Sequence, residues 1–170
     1  LFPYTTLFRS YLGLAEIDPI FVRPEPRLQP SFCASPFLFR FPGSRVLVDD
    51  GEALGDIHHP WFQRAPDKFC GHQHAPARPD PSGDAAGVSK GNITYLAQDI
   101  CIEYKHLGSV AHKDYFLAAL SQLLDEDMSV TTNLGSAGRV TLRHQDRKGR
   151  YVLHLLYAQP SLRGKTPLGD

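Results

Sequence analysis

The chain has 170 residues, a length that suits one domain or one and a fraction. Its 18 Lys+Arg balance 18 Asp+Glu, so no net field steers it towards nucleic acid or an anionic membrane. A hydrophobic content of 42% can supply a core, while no apolar run approaches the ~20 residues of a membrane-spanning helix.

Cys33, Cys70 and Cys101 cannot all pair with one another, and none lies in a CxxC. That pattern argues against a disulfide scaffold and for a soluble, reduced, cytoplasmic chain. The first ten residues, LFPYTTLFRS, lack the basic and apolar regions of a signal peptide. All ten match the in-frame translation of the end of a common short-read sequencing adapter. Residues 1–10 are therefore set apart from the fold as a cloning scar would be. The native protein is expected to extend upstream.

Residues 11–81 hold eleven of the 14 prolines. Proline lacks a donor N–H and pushes its predecessor out of the helical region, so this stretch predicts short extended pieces. Phe37-Leu38-Phe39 is one, and Arg45-Val46-Leu47-Val48 is another, ending at the turn residues Asp49-Asp50-Gly51. Residues 75–91, rich in Pro, Gly, Ser and Ala, read as a surface loop.

Ile93 to Ala97 reads as a buried-type strand. Ser109 then caps a helix through about Leu124, with Tyr115, Phe116, Ala119, Leu120, Leu123 and Leu124 as its apolar stripe. Asp125, Glu126 and Asp127 stand where the helix dipole disfavours them, so the helix ends there. From Met128 the period becomes two, through Val130 and Thr132. Val140, Leu142 and His144 share one side of a strand that returns as Tyr151–Tyr157. Between them, Asp146-Arg147-Lys148-Gly149 supplies the turn of a β-hairpin.

The densest chemistry lies in His58-His59-Pro60-Trp61-Phe62-Gln63-Arg64 and Phe69-Cys70-Gly71-His72-Gln73-His74. In an extended chain Cys70, His72 and His74 share one side, a set that zinc could use. The spacing matches no closed finger pattern, and the alternative is a loop whose His and Trp rings pack at an interface or cleft rim. Cys70 beside two histidines also invites a Cys–His nucleophile, although the chain has no G-x-S-x-G elbow. Cys101 reads as a core filler and Cys33 as a loop residue. The glutamates Glu16, Glu25, Glu52, Glu103 and Glu126 do not sit at the ends of recognisable barrel strands, and an eight-unit barrel needs ~250 residues. Phosphate-cradling glycine loops are absent. Asn92-Ile93-Thr94 satisfies a glycosylation sequon but opens a strand, and reads as coincidence.

Residues 61–76, WFQRAPDKFCGHQHAP, resemble a segment of bacterial glycoside-hydrolase-like proteins in which a barrel precedes a beta-galactosidase trimerisation-type domain. Gly91–Ala97, Ala119–Leu124 and Arg150–Leu156 resemble later segments of the same group, so the likeness runs in order over about residues 45–160. It implies a partial flavodoxin-like, glutamine-amidotransferase-like α/β domain over 11–127. The start of a β-sandwich would follow over 128–170. By the same resemblance the catalytic barrel lies upstream, the amidotransferase nucleophile is not retained, and the chain forms a homo-oligomer, a trimer.

Two functional expectations result. The first is a non-catalytic accessory region of a sugar-hydrolysing enzyme, needing no cofactor, that meets carbohydrate through its parent. Its substrate-rim or interface residues are Trp61, Phe62, Arg64, Phe69, His72 and His74, since rings stack on sugar faces. The second is a stand-alone metal- or ligand-binding module centred on Cys70, His72 and His74.

Overall fold

The computed structural model describes residues 8–124, 128–135, 138–157, 161–163 and 166–168. The chain begins with β1 (Arg9–Leu14), β2 (Ile20–Pro24), β3 (Phe37–Phe39) and β4 (Ser44–Val48), then β5 (Glu52–Ala53) and β6 (Gly55–His58). A long excursion leads to the hairpin of β7 (Gly87–Lys90) and β8 (Ile93–Leu96), followed by α1 (Ile100–Leu107) and α2 (Val110–Leu123). Next come β9 (Gly138–Gln145) and β10 (Arg150–Tyr157), then the short pair β11 (Ser161–Arg163) and β12 (Thr166–Leu168).

Every strand pairing among the described residues is antiparallel: β3-β2-β6, β5-β7-β8, β1-β4, β9-β10 and β11-β12. The architecture is therefore sheet-rich and mixed, with two helices and several small sheets. It differs from the flavodoxin-like expectation, because parallel strands need crossovers of a dozen or more residues, usually helical. The prolines before β7 leave turns and extended links in that place.

Two clusters form the core. The larger joins Ile20, Val22, Leu28, Phe37, Phe39, Leu54, Ile57 and Ala86 to Ile100, Tyr115 and Ala119 of the helices. Ile20 faces Phe39 and Val22 faces Phe37 across the ladder, so the period-two alternation delivers four large side chains to one face. Burial of a side chain such as Phe39 contributes about 1.5–3 kcal/mol. The smaller cluster holds Phe8, Val46, Ala85, Val88 and Ala97.

Several expectations are met. β3, β4 and β8 fall where the sequence places them, although β8 is half-buried with Ile93 exposed rather than of the buried type, and α2 starts after Ser109. The hairpin pairs Arg150 with Gln145 through to Tyr157 with Gly138, and Gly149 takes the left-handed φ of 56° that its turn requires. Asp125–Asp127 lie outside the described residues.

Other expectations are corrected. Within 75–91, Ala75 and Asp84 to Val88 are buried, and the segment ends in a core strand. Small residues are needed there: a Cβ on Gly87 would meet the Tyr95 carbonyl oxygen at 2.6 Å. Residues 128–135 form no strand. Cys101 is exposed on α1, whereas Glu103 of that helix is fully buried. α2 turns His112, Tyr115 and Ala119 to the core and leaves Phe116, Leu120, Leu123 and Leu124 exposed. β1 begins at Arg9 with Phe8 packed beneath it, so the sheet starts inside the adapter-like segment. Main-chain pairing is indifferent to a residue's origin, and Phe8 fills an apolar slot beside Val46 and Val88.

Glu103 fastens the helices to the sheets. Its Oε1 accepts hydrogen bonds from the main-chain N–H groups of Arg40 and Phe41, the latter at 2.8 Å. Those amides come directly after β3, where the ladder to β2 has ended. Glu103→Ala is expected to lower the unfolding free energy by about 2–4 kcal/mol in urea titrations, because it strands both amides. Glu103→Gln should recover part of that loss by keeping one acceptor.

Candidate functional site

The sequence candidates sit on one loop between β6 and β7. Its neck is an antiparallel bridge between Pro60 and Ala77. Trp61 N–H donates to the Pro76 carbonyl at 3.0 Å, and Arg78 N–H donates to that of His59 at 2.8 Å. The buried imidazole of His58 donates its Nδ1–H to the Arg78 carbonyl at 2.9 Å. The first histidine of the cluster is thus a structural clasp.

Beyond the neck the chain hydrogen-bonds to itself. Ala65 and Lys68 exchange main-chain bonds of 3.0 and 2.9 Å around Pro66-Asp67. Arg64 gives its Nη1 to the Gln73 carbonyl at 2.8 Å, and Arg40 reaches the Gln73 side chain at 3.4 Å. Cys70 points its thiol at the carbonyls of His72 and His74, at 3.4 and 3.5 Å. Residues 71–74 bend rather than extend, so the parity that would align Cys70, His72 and His74 is lost. Among the described residues no group of three or more His, Cys, Asp or Glu converges to hold a metal ion.

What the loop presents outward is aromatic. Trp61 is 57% exposed and Phe69 76%, whereas Phe62 and His74 are half-buried and His72 is exposed. The Arg78 guanidinium stands 5.6 Å from the Trp61 ring centroid, holding one face of the indole by a cation–π contact. Sequence reasoning missed Arg78 because it sits in a Pro-rich run with no period to mark it. The arrangement can stack against a ring and donate hydrogen bonds. It offers no nucleophile held by a base.

A wider cleft of about 870 Å³ opens between the end of α2 and the β5-β7-β8 sheet. Its charges are spent on one another: Arg27 pairs with Glu52 at 2.9 Å and Lys90 pairs with Asp50. No unmatched charge marks it for a ligand.

Two histidines respond to burial. Desolvation lowers the pKa of His59, against a smaller opposing pull from Asp84. It also lowers that of His112, which Glu103 and the Leu38 carbonyl partly offset. His112 donates its Nε2–H to Leu38 at 2.9 Å and meets the Phe39 ring edge-on at 4.4 Å. Burial pushes the Tyr115 hydroxyl up as well. Because both imidazoles titrate below their unfolded value of 6.5, the unfolded chain binds protons first as pH falls. Stability should therefore be full above about pH 6.5 and decline below it. Urea midpoints at pH 7.5 and 5.5 check this, and His112→Asn should flatten the difference.

No family model and no curated protein matches the chain. Among solved structures it is similar to alpha-L-fucosidase isoenzyme 2 from Paenibacillus thiaminolyticus, with 32% identity and a TM-score of 0.83. The alignment covers 98% of this chain and 25% of that one, so the chain spans about a quarter of that enzyme's length. Across nearly its whole length the chain is thus similar to part of a glycoside hydrolase.

Proposed function

We propose that this chain is a non-catalytic accessory and oligomerisation region of a carbohydrate-active glycoside hydrolase. The likeness at 32% identity over nearly the whole chain, to a quarter of a fucosidase, carries the reading. A region of that size that presents rings and self-paired charges, with no base-held nucleophile, fits support of a catalytic unit better than catalysis itself. The barrel and its two carboxylates lie, on this reading, in polypeptide outside these 170 residues.

The trimerisation-type assignment belongs to the proposal as a property of the complete domain. The exposed apolar residues support it: Phe116, Leu120 and Leu123 on α2, Tyr11, Leu12 and Leu14 on β1, and Leu142, Leu153 and Leu155 on the hairpin. A helix or sheet face so apolar is ordinarily covered, here by further chain or by another subunit of a homo-oligomer. The hairpin would open the β-sandwich. Trp61, Phe62, Arg64, Phe69, His72 and His74 would work at the subunit contact or at the rim of a neighbouring active site. The relative's name makes an α-L-fucoside the first substrate to try, with a β-D-galactoside second.

Sequencing upstream of the Tyr11 codon in the source sample tests this. The reading expects several hundred codons of alternating strand and helix with carboxylates at strand ends. A start codon close to Tyr11 would end it. In the extended protein, Trp61→Ala is expected to lower kcat/KM for an oligosaccharide about tenfold or more. Folding stability should change by no more than about 0.5 kcal/mol, as for an exposed side chain.

A further inference from the structure

A second pocket reaches the start of the Trp61 loop at His59. It has a volume of about 260 Å³ and is lined by Ala15, Glu16, Ile17, Arg45 and His59. Its geometry comes from a β-bulge: the β1–β4 register slips between Tyr11 and Gly13, where Gly13 adopts a φ of 107°. Bulges of this kind bend a strand and re-aim the residues beyond them. The Ala15 N–H then closes on the Gly43 carbonyl at 2.8 Å, which holds residues 15–17 over Arg45.

Arg45 is itself fixed. Its Nε and Nη2 bond the two carboxylate oxygens of Asp84 at 2.8 and 3.3 Å, and the Asp84 side chain is only 7% exposed. A fork held in this way is preorganised, with its remaining N–H groups free to serve a ligand. Glu16 lies close enough to act on the Arg45 charge. His59 is half-buried and, through desolvation, neutral near pH 7.

We propose that this pocket binds one neutral hydroxylated ring, a monosaccharide unit or cyclic polyol, with its hydroxyls bridging Arg45 and Glu16. Arg45 offers donors and Glu16 an acceptor on the lining of one pocket, and a hydroxyl group can serve both. Arg45 is balanced by Asp84, so Glu16 leaves the pocket with a net negative charge that disfavours anions. Ala15 and Ile17 supply an apolar lining for the C–H face of a ring. The volume falls just below the ~300–1,000 Å³ of pockets for drug-sized ligands, which suits a single ring. The ligand class rests on the carbohydrate-related function proposed for the chain. The site meets the aromatic loop only at His59.

The test is a two-dimensional amide NMR titration of the 170-residue chain with D-galactose, D-glucose and myo-inositol, with sodium phosphate as the anionic probe. At least one neutral ring should shift Ala15–Ile17, Arg45 and His59 saturably, with a dissociation constant of about 1 mM. Glu16→Gln should weaken that binding about tenfold while leaving the melting temperature unchanged, since Glu16 is exposed. Saturable shifts at these residues from phosphate, or from none of the probes, would overturn the site. Unchanged affinity in Glu16→Gln would do the same. Shifts confined to Trp61–His74 would sink this pocket yet leave the accessory reading standing. The upstream sequence tests that reading separately.

Discussion

The main chain of Asp84 to Gly87 ties together the small sheets formed by β1 to β8. Ala85 N–H bonds Val46, Ala86 N–H bonds Gly55, and Ala97 N–H returns to Ala86. Ile57 and Leu54 N–H groups close on the carbonyls of Asp84 and Gly87. One short segment thus links the neighbourhoods of β4, β6 and β8, and such crowding tolerates only small side chains. The sequence Asp-Ala-Ala-Gly is that requirement written out. Without it β5 and β6 would have no common partner, and Asp84 could not hold Arg45.

The loop from His59 to Ser82 depends on the same segment. It leaves β6 at His58 and rejoins the sheet where Ser82 N–H bonds the Ile57 carbonyl, just before Asp84. Both ends are therefore anchored on one ladder, and the bridge of Pro60 with Ala77 narrows the opening further. A loop pinned in this manner can expose Trp61 and Phe69 without losing its shape. The rings are carried on a loop whose two ends are bonded to the same ladder.

The parts of the fold that sequence revealed were those with a period. Tyr151–Tyr157 with its Gly149 turn, the Phe37-Leu38-Phe39 alternation and the α2 pattern all stood out. The central segment did not, because small residues that permit close packing look like the small residues of a loop. On α2 the expected stripe holds for Tyr115 and Ala119, but its leucines stay exposed and the core takes His112, since the Leu38 carbonyl meets the imidazole N–H. In the sequence Glu103 is only one of five glutamates away from any recognisable barrel strand. Its partners are main-chain amides at Arg40 and Phe41, which no side-chain pattern can announce. Similarly, the ligand-like parity of the histidine-rich motif required an extended chain that the bends at 71–74 deny.

On the proposed reading, labour would be divided between two parts of a longer polypeptide: this region would support and present, and another would perform the chemistry. Hydrolysis of 4-nitrophenyl α-L-fucopyranoside and 4-nitrophenyl β-D-galactopyranoside by two purified proteins tests that division most directly. One is the 170-residue chain and the other is the protein encoded by its extended frame. The expected result is no turnover by the chain alone and turnover of at least one glycoside by the extended protein. Turnover by the 170 residues at a rate matching the extended protein would contradict it.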